Sequence, residues 1–267
     1  MENLMDVLPQ NAQRGSKPRC HWVTHGTADQ VAARLTQLIA PWGEVLPEDH
    51  WMPEGFINIT EPQLHLQNTL LPEDVRAQLA AWWLPPDAQT RRAPNFDIAS
   101  TCTIEGKSGL LLVEAKAHST ELVEAAAGRE LGPDPTPGRI ASHATIGTAI
   151  SEACNGLSIS TGYPFNISRD THYQMSNRFA WSWKLTQLGY PVVLIYLGFL
   201  QANEMVDRGN PFTDHNDWND LVHAHSEPLF PGDIWTTELR MANNNLIPLI
   251  RSVETPHDNP REDFEVF

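Results

Sequence analysis

A glutamate and a lysine close an apolar run in the middle of the chain. Residues 110–113 are apolar and predict a buried strand, and Glu114 and Lys116 follow it two positions apart. Alternate residues of a strand project from the same face, so the two charges share one side. Burial of two charges is unfavourable unless they pair with each other or bind an ion. The segment therefore predicts either an ion pair at a strand end or a functional site.

An aspartate comes close to this pair if the preceding segment forms a hairpin with it. Residues 96–117 are typical of two strands around a turn at 105–108, and a turn of that length places Asp97 opposite Lys116 on the shared face. A shift of one position would move Asp97 to the other face. Two carboxylates at close range favour a bound cation, and Mg²⁺ needs only one or two of them together with water.

A metal-bound water in such a site can attack phosphorus while the metal neutralises the phosphate. Lys116 would lie beside that water or beside the scissile phosphate as a point charge. The residues Asp97, Glu114 and Lys116 therefore predict a phosphodiesterase site.

This pattern resembles the PD-(D/E)XK nuclease superfamily, also called restriction-endonuclease-like. The resemblance rests on Asp97 and on Glu114-Ala115-Lys116 at the end of an apolar strand, and it covers about residues 72–200. It implies a Mg²⁺-dependent endonuclease acting on nucleic acid, with DNA as the substrate and Mn²⁺ as a substitute metal. Asp97, Glu114 and the Ala115 carbonyl would bind the metal, and Lys116 would assist catalysis.

The resemblance carries further implications and one departure. The proline of the family's motif stands here as Pro94, three residues before the aspartate. An additional acid on the first core helix, which many members have, is assigned to Glu73 as a candidate. Members of this type often act as homodimers, so that two sites address two strands.

A later segment supplies polar side chains that could support the site. Gln174, Asn177 and Arg178 lie within one turn of a predicted helix that carries few charges. In nuclease relatives such residues often point to the metal or the phosphate, and the forked donors of Arg178 suit a phosphate oxygen. His118, two residues after Lys116, is a further candidate for phosphate contact.

Each of these residues also has a purely structural interpretation. Glu114 and Lys116 can form a surface ion pair, and Arg178 can pair with a buried acid. Gln174 and Asn177 can cap backbone groups, and His118 can be an ordinary residue at a strand end. Other polar residues are predicted to lie on solvated surfaces, namely Glu121, Glu152 and the pair His223 and His225. A transition-metal site at these histidines is the less favoured alternative.

Composition restricts the class of protein. The net charge is −15, and residues 201–267 hold 13 acids and 4 bases, whereas residues 71–200 hold 12 acids and 10 bases. A general polyanion binder is therefore not expected, although a local basic groove in the middle of the chain is compatible with these numbers. Three widely spaced cysteines, no signal-peptide pattern and no apolar run of about 20 residues predict a cytoplasmic protein without a membrane segment.

The predicted elements give an α/β fold. Helices are expected at 28–40, at 71–84, from His143 to about 157, and from Ser168 or Asp170 to 188, with a central strand at 192–199 and loose segments at 1–20 and after 201. The expected architecture is a restriction-endonuclease-like core, a central mixed sheet with an antiparallel hairpin flanked by helices. Residues 1–70 would pack on a core at 71–200, and residues 201–267 would form an acidic extension of the same domain.

A rival hypothesis keeps this scaffold without catalysis. In it, the chain is a catalytically inactive module that binds a protein partner through its acidic, tryptophan-bearing C-terminal region.

Overall fold

A mixed β-sheet between two layers of helices forms the centre of the protein. The computed structural model describes residues 4–86, 93–242, 244–255 and 264–267. Within these ranges there are seven α-helices: α1 Ser16–Val23, α2 Ala28–Ile39, α3 Glu73–Trp83, α4 Ser119–Ala125, α5 Pro137–Thr161, α6 Tyr173–Gln187 and α7 His215–Ser226. The strands are β1 Gly43–Glu44, β2 Trp51–Met52, β3 Ile98–Ile104, β4 Lys107–Lys116, β5 Val192–Phe199, β6 Leu239–Arg240 and β7 Asn245–Val253.

The sheet combines an antiparallel hairpin with parallel strands. Its order is β1-β3-β4-β5-β7-β6, with β2 also paired to β3. β3 and β4 are antiparallel, whereas β4, β5 and β7 run parallel to one another. All three segments of the predicted domain division therefore contribute strands to one sheet.

Alternating side chains of the strands build one apolar layer on each face. On one face Leu110 and Leu112 of β4 join residues of α3, α5, α6 and α7. On the other face Leu111 and Val113 join α1 and α2. β5 is buried along its whole length because helices cover both of its faces, as expected for a central parallel strand.

The hairpin turn is shorter than predicted. Glu105 and Gly106 form a two-residue turn with φ values of 50° and 75°, and Ile104 pairs with Lys107. Two consecutive positive φ angles are typical of a type I′ turn, whose twist matches that of the flanking strands. The predicted four-residue turn was wrong, and the true register differs from it by two positions.

Several predicted boundaries also differ. Residues 16–20, expected in the loose arm at 1–20, are the first part of α1, in which Cys20, Trp22 and Val23 are buried. α5 begins at Pro137 after its cap Thr136, not at His143. α6 begins after His172, not at Ser168 or Asp170. The start of α5 has a local signal that was missed, because the Thr136 side chain accepts from the N–H of Arg139 and Pro137 stands in the first turn. His172, which precedes α6, has a positive φ of 46° and makes no capping hydrogen bond through its side chain.

The C-terminal region is more ordered than its composition predicts. It contains α7, which buries Trp218 and Val222, and the nine-residue strand β7. Pro248 within β7 argues against a strand, because proline lacks the N–H of the ladder. Here the Pro248 carbonyl accepts a hydrogen bond from Thr236 at 2.8 Å, so its nitrogen points to the same side, away from β5.

Candidate active site

Asp97 meets the end of β4 at one edge of the sheet. Its N–H donates to the Val113 carbonyl at 3.0 Å, and its Oδ2 accepts a hydrogen bond from the N–H of Ala115 at 2.7 Å. Ala115 stands between Glu114 and Lys116, so the three predicted residues come together. The predicted pairing of Asp97 with Lys116 was wrong, because the two-residue turn sets Asp97 beside Ala115.

Glu114 is the buried centre of the charged cluster. It is 1% exposed, and its Oε1 forms an ion pair with the Lys116 ammonium. Its Oε2 accepts a hydrogen bond from Arg178 Nε at 2.6 Å. Each carboxylate oxygen of Glu114 therefore has a cationic partner, one from its own strand and one from α6.

Helix α6 supplies most of the remaining predicted residues. Arg178 Nη1 donates to Asn177 Oδ1 at 2.5 Å, and the guanidinium lies 4.8 Å from the centre of the Phe96 ring. Asn177 thus orients Arg178 toward Glu114. Gln174 is half-buried one turn earlier, and among the described residues no hydrogen bond joins it to this group.

His118 lies beside the cluster and contacts Glu121 weakly. It is buried, and its Nε2 is 3.9 Å from Glu121 Oε2, beyond hydrogen-bonding distance. The same carboxylate oxygen accepts hydrogen bonds from the N–H groups of Ala117 at 2.6 Å and His118 at 3.3 Å. Glu121, predicted on a solvated face, is half-buried and satisfies the backbone that follows β4.

The charges shift each other's pKa values. Burial raises the pKa of Asp97 to about 7, with a further increase from the charge of Glu114, which Lys116 and the Ala115 N–H partly oppose. Burial also opposes ionisation of Glu114, but Arg178 and Lys116 outweigh it and hold the Glu114 pKa below its ordinary value. Burial disfavours the charged form of Lys116, yet the two carboxylates raise its pKa.

A second acid near Asp97 comes from an unexpected segment. Glu61 forms an ion pair with Lys17 Nζ at 2.8 Å and accepts a hydrogen bond from Asn95 Nδ2 at 2.9 Å. The negative charge of Glu61 also contributes to the raised pKa of Asp97. Glu73, the candidate for the additional acid on the first core helix, is exposed at the start of α3. Glu61 lies in an irregular stretch with no local signal, so only the folded chain identifies it.

Two histidines approach the site from other elements. The rings of His172 and His225 are 4.8 Å apart. Burial first, and then the nearby charges of His172 and Lys116, lower the pKa of His225 to about 4. His225 was predicted on an exposed surface, and the folded chain instead half-buries it near Lys116.

The oxygen ligands at the carboxyl end of β4 fit a hard divalent cation. The N–H and C=O of a strand residue point to the same side, so the Ala115 carbonyl lies on the side where Asp97 binds its N–H. Asp97 and Glu114 add two neighbouring carboxylates whose repulsion a cation would relieve. In the described parts of the chain no group of three or more His, Cys, Asp or Glu side chains is arranged to hold a metal. Two carboxylates, a carbonyl and water are a set that Mg²⁺ accepts.

The fold and the site define an α/β protein with a buried carboxylate–cation cluster at the carboxyl end of a central strand. No family model, no curated protein and no solved structure matches this chain. Among the described residues, every helix is too short or too polar to cross a bilayer.

Proposed function

We propose that the protein is a metal-dependent nuclease that hydrolyses phosphodiester bonds in DNA. The observation that carries this proposal is the position of Asp97, whose carboxylate binds the backbone between Glu114 and Lys116. The antiparallel hairpin followed by a parallel strand supports a restriction-endonuclease-like core. Asp97, Glu114 and the Ala115 carbonyl would hold Mg²⁺, which when bound supplies an activated water and neutralises the phosphate.

The side chains of this chain have separate tasks in that reaction. Lys116 leaves one oxygen of Glu114 and binds the attacking water or a phosphate oxygen, because its ammonium has three donors. Arg178 keeps the other oxygen of Glu114 in place through its Nε. Asn177 orients Arg178.

Plasmid cleavage in Mg²⁺ or Mn²⁺ tests the proposal. Asp97→Asn and Lys116→Met are expected to lower the rate by about a hundredfold or more, because each removes a charge that acts on the reacting groups. Lys184→Met is the matched control, since Lys184 also pairs with a glutamate, Glu152 at 3.4 Å, but lies six residues after Arg178 on α6 and makes no ion pair with Glu114. Cleavage that persists in both site variants would reject the proposal.

A second candidate function is a non-catalytic module that binds a protein partner. The observation that favours it is that both oxygens of buried Glu114 already have cationic partners, which competes with metal binding. Calorimetry with Mn²⁺ separates the two candidates. Binding that is lost in Asp97→Asn supports the nuclease, whereas no heat of binding in the unmodified protein supports the module.

A further inference from the structure

Tyr196 lies next to the charged cluster on the neighbouring strand. It is the partner of Glu114 in the parallel register of β4 and β5, and partners in a sheet project from the same face. Its ring packs edge-on against Trp235, with 5.3 Å between the centroids. The side chain is 1% exposed.

The hydroxyl of Tyr196 has no hydrogen-bond partner among the described residues. A buried polar atom without a partner destabilises the fold, so phenylalanine would be more stable at this position unless the hydroxyl has a partner such as a water. The charges of Glu114, Arg178 and Asp97 all act on this hydroxyl. A phenol hydroxyl can both donate and accept a hydrogen bond.

A water molecule would satisfy the Tyr196 hydroxyl. A buried water needs about two to four polar partners, and the carboxylates of Glu114 and Asp97 would be the others. Each carboxylate oxygen has two lone pairs, so Glu114 can accept from a water in addition to its two cationic partners. A phosphate group is much larger than a water, so it can approach this water only after Lys116 has left Glu114, as the proposed reaction requires.

We propose that Tyr196 holds a buried water beside Glu114 and that this is the water which attacks the phosphodiester. The inference rests on the proposed nuclease function. In the reaction the water oxygen forms a bond to phosphorus and the bond to the leaving sugar oxygen breaks. The water loses a proton to solvent, and the leaving oxygen takes one from solvent. Tyr196 keeps its own proton throughout and acts by fixing the position of the water.

Tyr196→Phe tests the inference, with Tyr190→Phe as the matched control just before β5. For Tyr196→Phe we expect kcat to fall about tenfold to a hundredfold, the equivalent of one hydrogen bond to a charged or reacting group. KM and the affinity for Mn²⁺ should stay unchanged, and Tm should stay equal or rise, because the lost hydroxyl has no protein partner. Crystal structures should show an ordered water on Tyr196 Oη in the unmodified protein and none in the variant.

An unchanged kcat in Tyr196→Phe would overturn the inference. A lower Tm without an ordered water would also overturn it, because the hydroxyl would then have a structural role. If the unmodified protein cleaves no DNA, the crystal structures still decide. A water present with Tyr196 and lost with Phe supports the water site while the nuclease proposal fails, and no water in either structure overturns the inference.

Discussion

At the scale of single residues, the charge balance of the cluster depends on Glu114. This carboxylate is the only acid that accepts from both Lys116 and Arg178 among the described residues. A buried charge that loses its partner costs far more than an exposed one, because water cannot replace the lost contact. Glu114 therefore has a structural role in addition to any role in metal binding.

Glu114→Ala is expected to destabilise the fold by about 3–5 kcal/mol, because it leaves two buried cations without a counter-ion. Chemical denaturation measures this change. Glu152→Ala, which removes an exposed partner of Lys184, should cost only about 0–1 kcal/mol. Replacing Glu114, Lys116 and Arg178 together by Met should recover most of the loss, and a triple variant as unstable as Glu114→Ala would contradict this account.

The raised pKa of Asp97 predicts how stability depends on pH. Between its ordinary pKa near 4 and its folded pKa of about 7, the folded state keeps a proton that the unfolded state has released. The free energy of unfolding from this group therefore falls as pH rises through that window. Asp97→Asn should remove the effect, so between pH 4 and pH 8 the free energy of unfolding of the variant should rise by on the order of 4 kcal/mol relative to that of the unmodified protein. Denaturation curves across this range measure it, and a constant difference would refute the assignment.

The sequence predicts some residues of the site and not others, for a physical reason. Glu114 and Lys116 are predictable because their alternation after an apolar run is a local signal. Tyr196 reaches the site only through the register between two parallel strands, and Glu61 only through the path of an irregular segment. Neither property is encoded in the neighbouring residues.

At the scale of elements, the turn between β3 and β4 determines where Asp97 lies. Only the two-residue turn at Glu105 and Gly106 gives the pairing of Ile98 with Val113. A turn of four residues was predicted because Lys107 and Ser108 are as polar as the turn itself. The predicted register was wrong by two positions, which is an even number. Each residue therefore stays on the predicted face of the sheet, although its partner on the other strand changes.

Gly106→Ala should destabilise the hairpin through its backbone conformation and not through a clash of the added methyl group. A Cβ at this position would meet nothing within 4 Å, but φ is +75°, which costs a residue with a side chain about 1–2 kcal/mol. Gly138→Ala, in the first turn of α5 and equally unobstructed, should be neutral or stabilise by up to about 1 kcal/mol. Thermal denaturation of the two variants compares them, and equal effects would argue against a conformational cause at Gly106.

The elements that the sequence predicted best are those with strong local signals. α2 begins at Ala28 after a Thr27 cap that also forms a capping box with Gln30, and β5 covers the predicted residues Val192–Phe199. β7 was missed because its proline and its acidic surroundings are typical of a loop. Its position beside β5 compensates, since burial against a central strand outweighs these local preferences.

At the scale of the whole molecule, the negative net charge bears on the proposed nucleic-acid substrate. The net charge of −15 repels a polyanion. The two cations of the site do not offset this repulsion, because Lys116 and Arg178 are buried against Glu114. In the proposed nuclease, the attraction to DNA at this site would therefore come from a divalent cation held by Asp97 and Glu114.

DNA binding should accordingly depend on the cation. We expect duplex DNA to bind at least about tenfold more tightly in Ca²⁺, which prefers the same oxygen ligands as Mg²⁺, than in EDTA, a difference of about 1.4 kcal/mol. Fluorescence anisotropy with a labelled duplex measures both affinities. Asp97→Asn should abolish the difference, because one of the two carboxylates is gone, while Glu152→Gln on the exposed face of α5 should preserve it. Tight binding in EDTA would instead indicate that the main DNA contact lies on a different surface. Without a cation, the cluster offers the phosphates only the acid Asp97 and Glu114, whose two cationic partners are already engaged.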